Sequence, residues 1–149
     1  MNAADITARV QRGAALLDGK RPGWWREIDL LSLDIASRCG CIIGQLGGLT
    51  KAADRGLAYQ VASERLGVGY YDEIPMGFEA AATSGESGFS SRQEAVRSEY
   101  AALTAAWRDL IGQRRDDDLA GELATALRER RDAGPAAREG REAWQEPQP

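Results

Sequence analysis

Ser91-Arg92-Gln93-Glu94, followed by Val96, Tyr100, Leu103, Trp107 and Leu110, is the pattern that most narrows what this chain can fold into. A serine with a glutamate three residues on is a capping box, in which each side chain satisfies the other's free backbone amide. The apolar spacings that follow are four, three, four and three. They put one apolar face on a helix and suit a heptad-like seam against a partner. Leu119, Leu123 and Leu127 continue a stripe to about Arg131, and Gly134-Pro135 ends it. Asp116-Asp117-Asp118 either breaks this helix or only interrupts its apolar face.

Upstream, Ile6, Val10, Ala14 and Leu17 form a second helical stripe, with Asp5 as its cap and Asp18-Gly19 as its end. Arg21-Pro22-Gly23 reads as a turn, and Pro22 equally suits the opening of a single helical turn carrying Trp24, Trp25 and Ile28. The tryptophan pair is expected to anchor a core edge. Ile28 to Ile35 alternates loosely, as a short strand or an extended lead-in. A helix through Cys41, Ile42, Ile43 and Leu46, capped by Asp34 or Ser37, stops at Gly47-Gly48. Gly44 inside it costs about 1 kcal/mol relative to alanine, so close approach of another backbone is expected there. Thr50 caps a further helix through Ala53, Leu57, Val61 and Leu66, with Gly67 as terminator. The fold class is therefore mainly α: a compact bundle of about four to five helices, with short extended or irregular segments near 28–35 and 68–82. Residues 1–134 read as one helical domain with a Gly/Ser loop at 83–90, and 135–149 as a flexible polar tail.

Composition limits the chemistry more than the fold. The 149 residues contain no histidine, which removes Ser-His-Asp and Cys-His catalysis, histidine metal sites and the usual general base. A net charge of −4 offers no global attraction to a polyanion, so nucleic acid is a poor candidate partner. No apolar run is long enough to span a bilayer, and the first twenty residues lack the layout of a secretory signal. A cytoplasmic location is expected.

Cys39-Gly40-Cys41 is the obvious chemical candidate, for metal or redox work. Structural zinc takes four nitrogen or sulfur ligands, so two cysteines without histidine need carboxylates or a second subunit to complete a site. The simpler reading buries Cys41 as a small hydrophobe and leaves Cys39 exposed or at a helix start. Asp29 and Asp34 suit acid–base work, but their positions suit capping and turns better. Gly44-Gln45-Leu46-Gly47-Gly48 matches no phosphate-loop pattern, and Gln45 is expected to hydrogen-bond backbone. Arginines from Arg114 to Arg141 are interleaved with acids, as on a solvated helix face.

Ile28-Asp29, Leu33-Asp34, Cys41-Ile42-Ile43-Gly44-Gln45-Leu46, Gly77-Phe78-Glu79-Ala80 and the run from Tyr100 to Ile111 resemble a family of small uncharacterised proteins. That family occurs in actinobacteria and their phages, with a Cys-Val-Leu-Gly-Gln-Leu core. The resemblance spans roughly residues 10 to 115, with Ile42-Ile43 in place of Val-Leu and a longer stretch before Gly77. It implies provenance rather than chemistry: a phage or prophage accessory protein in a bacterial cytoplasm. The expected function is a non-enzymatic interaction module, regulating or inhibiting a host protein without a cofactor. Tyr100, Leu103, Trp107, Arg114 and Arg115 are its candidate partner-binding residues. The alternatives are a phage structural or assembly component that self-associates, and a metal- or redox-linked protein using Cys39 and Cys41.

Overall fold

A computed structural model describes residues 2–50, 55–69, 72–81 and 89–133. The chain is mainly helical, with no strand among the described residues. Among the described residues four α-helices follow in order, α1 (Ala3–Lys20), α2 (Ile42–Leu46), α3 (Arg55–Arg65) and α4 (Phe89–Asp132), with a 3-10 turn at Trp24–Arg26. The chain divides into two compact units, residues 1–112 and 113–149. The expected loop at 83–90 falls mostly, and the tail at 135–149 entirely, outside the described residues.

α1 starts earlier and ends later than its sequence signals suggest. Asn2, not Asp5, is the cap, its side chain accepting from the Ala4 amide at 3.2 Å. Asp5 instead sits in the first turn, where the positive end of the helix favours a carboxylate. Asp18 does not stop the helix, because its carboxylate accepts from the Trp24 indole N–H at 2.9 Å. Ile6, Val10, Ala14 and Leu17 are buried, and Arg9 is buried with them.

Residues 28–41 form a succession of turns rather than a strand or a helix. Asp29 accepts from the Leu31 amide and Asp34 from the Ala36 amide, each at 3.0 Å, so both aspartates bind their own turns. Neither Asp34 nor Ser37 caps α2. Gln45 closes this loop from inside: its Oε1 accepts from the Asp29 amide at 2.6 Å and its Nε2 donates to the Gly40 carbonyl at 2.9 Å. α4 holds the loop as well. Thr104 accepts from the Ile35 amide at 3.1 Å, and Arg108 donates to the Leu33 carbonyl at 2.7 Å.

The core joins α1, the tryptophan turn, the 28–43 segment and the first half of α4. Trp24 stands edge-on to Trp107 with centroids 5.6 Å apart, and Phe78 stacks on Trp107 at 5.4 Å. Trp25 is half-buried at the edge of this cluster. The buried side of α3 is Ala62 and Ser63, with Leu66 just beyond; Leu57, expected in that stripe, is 68 % exposed. The predicted cap at Thr50 and the stripe residue Ala53 adjoin or fall on 51–54, outside the described residues.

α4 begins at Phe89, so Ser91 lies inside its first turn and is not the cap. The helix continues through Asp116-Asp117-Asp118 without a break. Its buried positions are Glu99, Leu103, Thr104, Trp107 and Ile111, a spacing closer to four than to the heptad. Val96, Tyr100 and Leu110 are only half-buried beside them.

Gly44 is the backbone contact on which the turn region closes. A Cβ there would lie 1.9 Å from the Arg38 carbonyl oxygen and 3.0 Å from Cys39 Cα, both backbone atoms. This close approach is the compensation expected for a glycine in a helix. Gly44→Ala should therefore lower unfolding free energy by about 3 kcal/mol or more, read as a drop in the urea midpoint. Gly19→Ala, with nothing within 4 Å of the added carbon, should leave the midpoint unchanged or slightly raised.

Candidate functional site

Charge is buried where α1 meets α4. Arg9 is 3 % exposed and Glu99 fully buried. Arg9 Nη1 donates to Glu99 Oε1 at 2.5 Å, its Nε to the Ile74 carbonyl at 2.7 Å and its Nη2 to the Glu79 carbonyl at 2.6 Å. Glu99 Oε1 also accepts from the Ala81 amide at 2.8 Å. These bonds hold segment 72–81 against two helices, while Glu99 Oε2, also buried, has no hydrogen-bond partner among the described residues.

Beside it lies a small polar cavity of about 190 Å³, lined by Ile35, Ala36, Arg38, Cys41, Tyr59, Glu79 and Tyr100. Tyr100 donates its hydroxyl to Glu79. The Arg38 guanidinium lies 5.7 Å from the Tyr59 ring centroid. Burial, the largest effect, holds both phenols well above their ordinary range, and neighbouring carboxylates push the same way. Burial likewise raises Glu73, helped by the charge of Glu79. At neutral pH the cavity presents protonated phenols and a protonated thiol, which are poor nucleophiles.

The cysteine pair does not sit on a helix. Cys41 is itself the N-cap of α2, its Sγ accepting from the Gly44 amide at 3.3 Å, while the thiol donates to the Arg38 carbonyl at 3.5 Å. Burial raises its pKa from 9.0 to about 11. Cys39 is half-buried in the preceding turn rather than at a helix start. Both thiols are free. Among the described residues, no three His, Cys, Asp or Glu side chains gather in a way that would hold a metal ion.

The five candidate partner-binding residues separate. Leu103 and Trp107 are fully buried in the chain's own core, the Trp107 indole donating to the Gly77 carbonyl at 2.8 Å. They present no surface to a partner, because the expected seam is filled by α1, Trp24 and Phe78 instead. Tyr100 is half-buried at the polar cavity. Arg114 and Arg115 are half-buried at the start of the second unit.

The open apolar surface lies further along α4. Leu119, Leu123 and Leu127 are 66 %, 60 % and 58 % exposed. Their spacing of four keeps them on one side of the helix. From Gln113 to Ala133 no residue is buried, so among the described residues of the second unit the helix carries an apolar stripe that none of them covers. The sequence marked these leucines as apolar; their exposure was not readable from it. Arg9 and Glu99 were missed, though each occupies a core-phase position, three residues from Ile6 and four from Leu103 respectively. Charge at such a position was the available signal.

No family model, curated protein or solved structure matches the chain. No described helix is long and apolar enough to cross a membrane.

The buried thiol generates a pH dependence. A folded-state pKa above the unfolded value means the unfolded chain loses its proton first, so stability is full below about pH 9 and falls as pH rises toward 11. The loss attributable to Cys41 should be on the order of 2 kcal/mol, with Tyr59 and Tyr100 steepening it above pH 10. Urea midpoints measured from pH 8 to 11 check the slope, and Cys41→Ala should flatten the part below pH 10.

Proposed function

We propose that the chain is a non-enzymatic protein-interaction module, docking through the leucine stripe of α4 between Gln113 and Asp132. The observation that carries this reading is the exposure of Leu119, Leu123 and Leu127 on one helix face. Three large aliphatic side chains in a row are costly to leave in water, and each gains roughly 1.5–3 kcal/mol when fully covered. A 3.6-residue apolar face of this kind is what a helix presents to another helix or to an apolar groove. The family resemblance supports a role as an accessory protein in a bacterial cytoplasm.

Site-specific photo-crosslinking tests this. A photoreactive phenylalanine analogue at Ala120, beside the stripe, should yield a discrete protein adduct in cells of the native source. That adduct should vanish when Leu119, Leu123 and Leu127 are all replaced by Glu. Absence of any adduct from a fully labelled, folded chain would count against the docking face.

A further inference from the structure

We propose that the partner on this face is a second copy of the chain, docked antiparallel about a twofold axis through Leu123; this rests on the docking reading above. In such a pair, a residue a given number of positions before Leu123 faces the residue the same number after it on the other copy. A self-complementary face must therefore be symmetric in its apolar residues and opposite in its charges. Residues 119–127 read LAGELATAL. Leu119 and Leu127 stand four residues either side of Leu123, and Ala120 and Ala126 three either side. Asp116 and Arg130 stand seven either side.

Helical rotation keeps these residues on one face. At about 100° per residue, Asp116 and Arg130 fall within about 20° of Leu123, and Leu119 and Leu127 about 40° to either side. All five are exposed. The stripe is thus a line of three leucines with an aspartate at one end and an arginine at the other, about 21 Å long at 1.5 Å per residue. Antiparallel pairing sets Leu119 against Leu127, Leu123 against itself and Asp116 against Arg130 at both ends. Ala120 and Ala126 come to the same level on opposite flanks, where small side chains let the helices approach. In-register parallel pairing would set Asp116 against Asp116 and Arg130 against Arg130. Like charges at both ends disfavour that arrangement. Charge therefore selects the direction that the leucines alone leave open.

The test uses the full chain at low salt, with mass measured by sedimentation equilibrium across about 1–300 µM, the range where so short an interface should dissociate. The expected species at high concentration has twice the 16.1 kDa chain mass. Leu123→Glu should abolish it. Asp116→Arg and Arg130→Asp should each weaken it at least about tenfold, because both end pairs turn repulsive. The double variant Asp116→Arg/Arg130→Asp should return to within about threefold of the original affinity, since its end pairs are again opposite. These positions are exposed, and unchanged far-UV circular dichroism confirms that each variant folds. Spin labels at an Asp132→Cys position, in a Cys39→Ser background, should lie about 27 Å apart along the helix direction, against near contact for a parallel pair. A monomer at every concentration overturns the antiparallel pair, as does a dimer indifferent to Leu123→Glu or to the single charge reversals. An Ala120 adduct heavier or lighter than a chain dimer, found with a monomeric purified protein, overturns self-pairing while the docking face stands. No adduct and no dimer together remove both.

Discussion

The buried guanidinium of Arg9 is the contact that the first unit cannot lose. It comes from α1, pairs with a carboxylate of α4 and donates to two carbonyls of the irregular segment between them. Taking both charges out of water costs several kcal/mol each. The Arg9 donors and Glu99 Oε1 are engaged, but Glu99 Oε2 is buried with no hydrogen-bond partner among the described residues, so their attraction offsets that cost only in part. Arg9 is well suited to the task, since its planar fork donates in several directions at once. Removing either partner leaves the other charge buried, which typically costs 3–5 kcal/mol. A pair that is costly to bury and more costly to break fixes one arrangement of these three segments.

Around that contact the packing leaves little room for alternatives. A Cβ on Gly13 of α1 would lie 2.3 Å from the Met76 carbonyl oxygen and 2.9 Å from the Trp107 ring. α1, the 72–81 segment and α4 therefore meet at a place where only a hydrogen fits. Trp107 completes the junction, with its ring on Phe78 and its N–H on the Gly77 carbonyl. Segment 72–81 has no regular backbone ladder, so side chains of the two helices supply partners for its carbonyls. The 28–41 turns are held by the same device, with Gln45, Thr104 and Arg108 taking their backbone groups. Two irregular segments are rigidified by polar side chains reaching out of helices.

How much of this was legible follows from what periodicity reports. Apolar spacing locates a helix and its buried phase, so α1 and α4 were readable, with Leu17, Leu103 and Trp107 on the correct faces. It does not say what covers a face. The heptad-like spacing places Leu103 and Trp107 toward a partner, yet α1 and Trp24 cover them; Leu119, Leu123 and Leu127 have the same spacing and stay exposed. Terminal signals were less dependable because the side chains that carry them had competing uses. Asp18 binds Trp24, and Asp34 binds its own turn. Cys41 took the capping role at α2, a choice that residue preferences do not favour. Gln45 was the clearer case: a polar side chain in an apolar run has to find backbone partners, and it does.

The exposed stripe has a consequence for α4 as a helix. Intrinsic propensity contributes little to most helices in proteins, whose stability comes mainly from packing of an apolar face. The first part of α4 has that packing through Leu103, Trp107 and Ile111. Residues 113–132 have none among the described residues of their own unit, and Gly121 lowers their propensity further. Continuity with a packed helix supplies the nucleus, since each further turn then adds only the propagation step. A facing helix would supply the burial. The leucines are spaced for such a neighbour, and the aspartate and arginine that bracket them make the face complementary to its own reversed copy. The two units thus rest on different physics: a buried charge pair in the first, and in the second an exposed apolar stripe on a helix continued from the first.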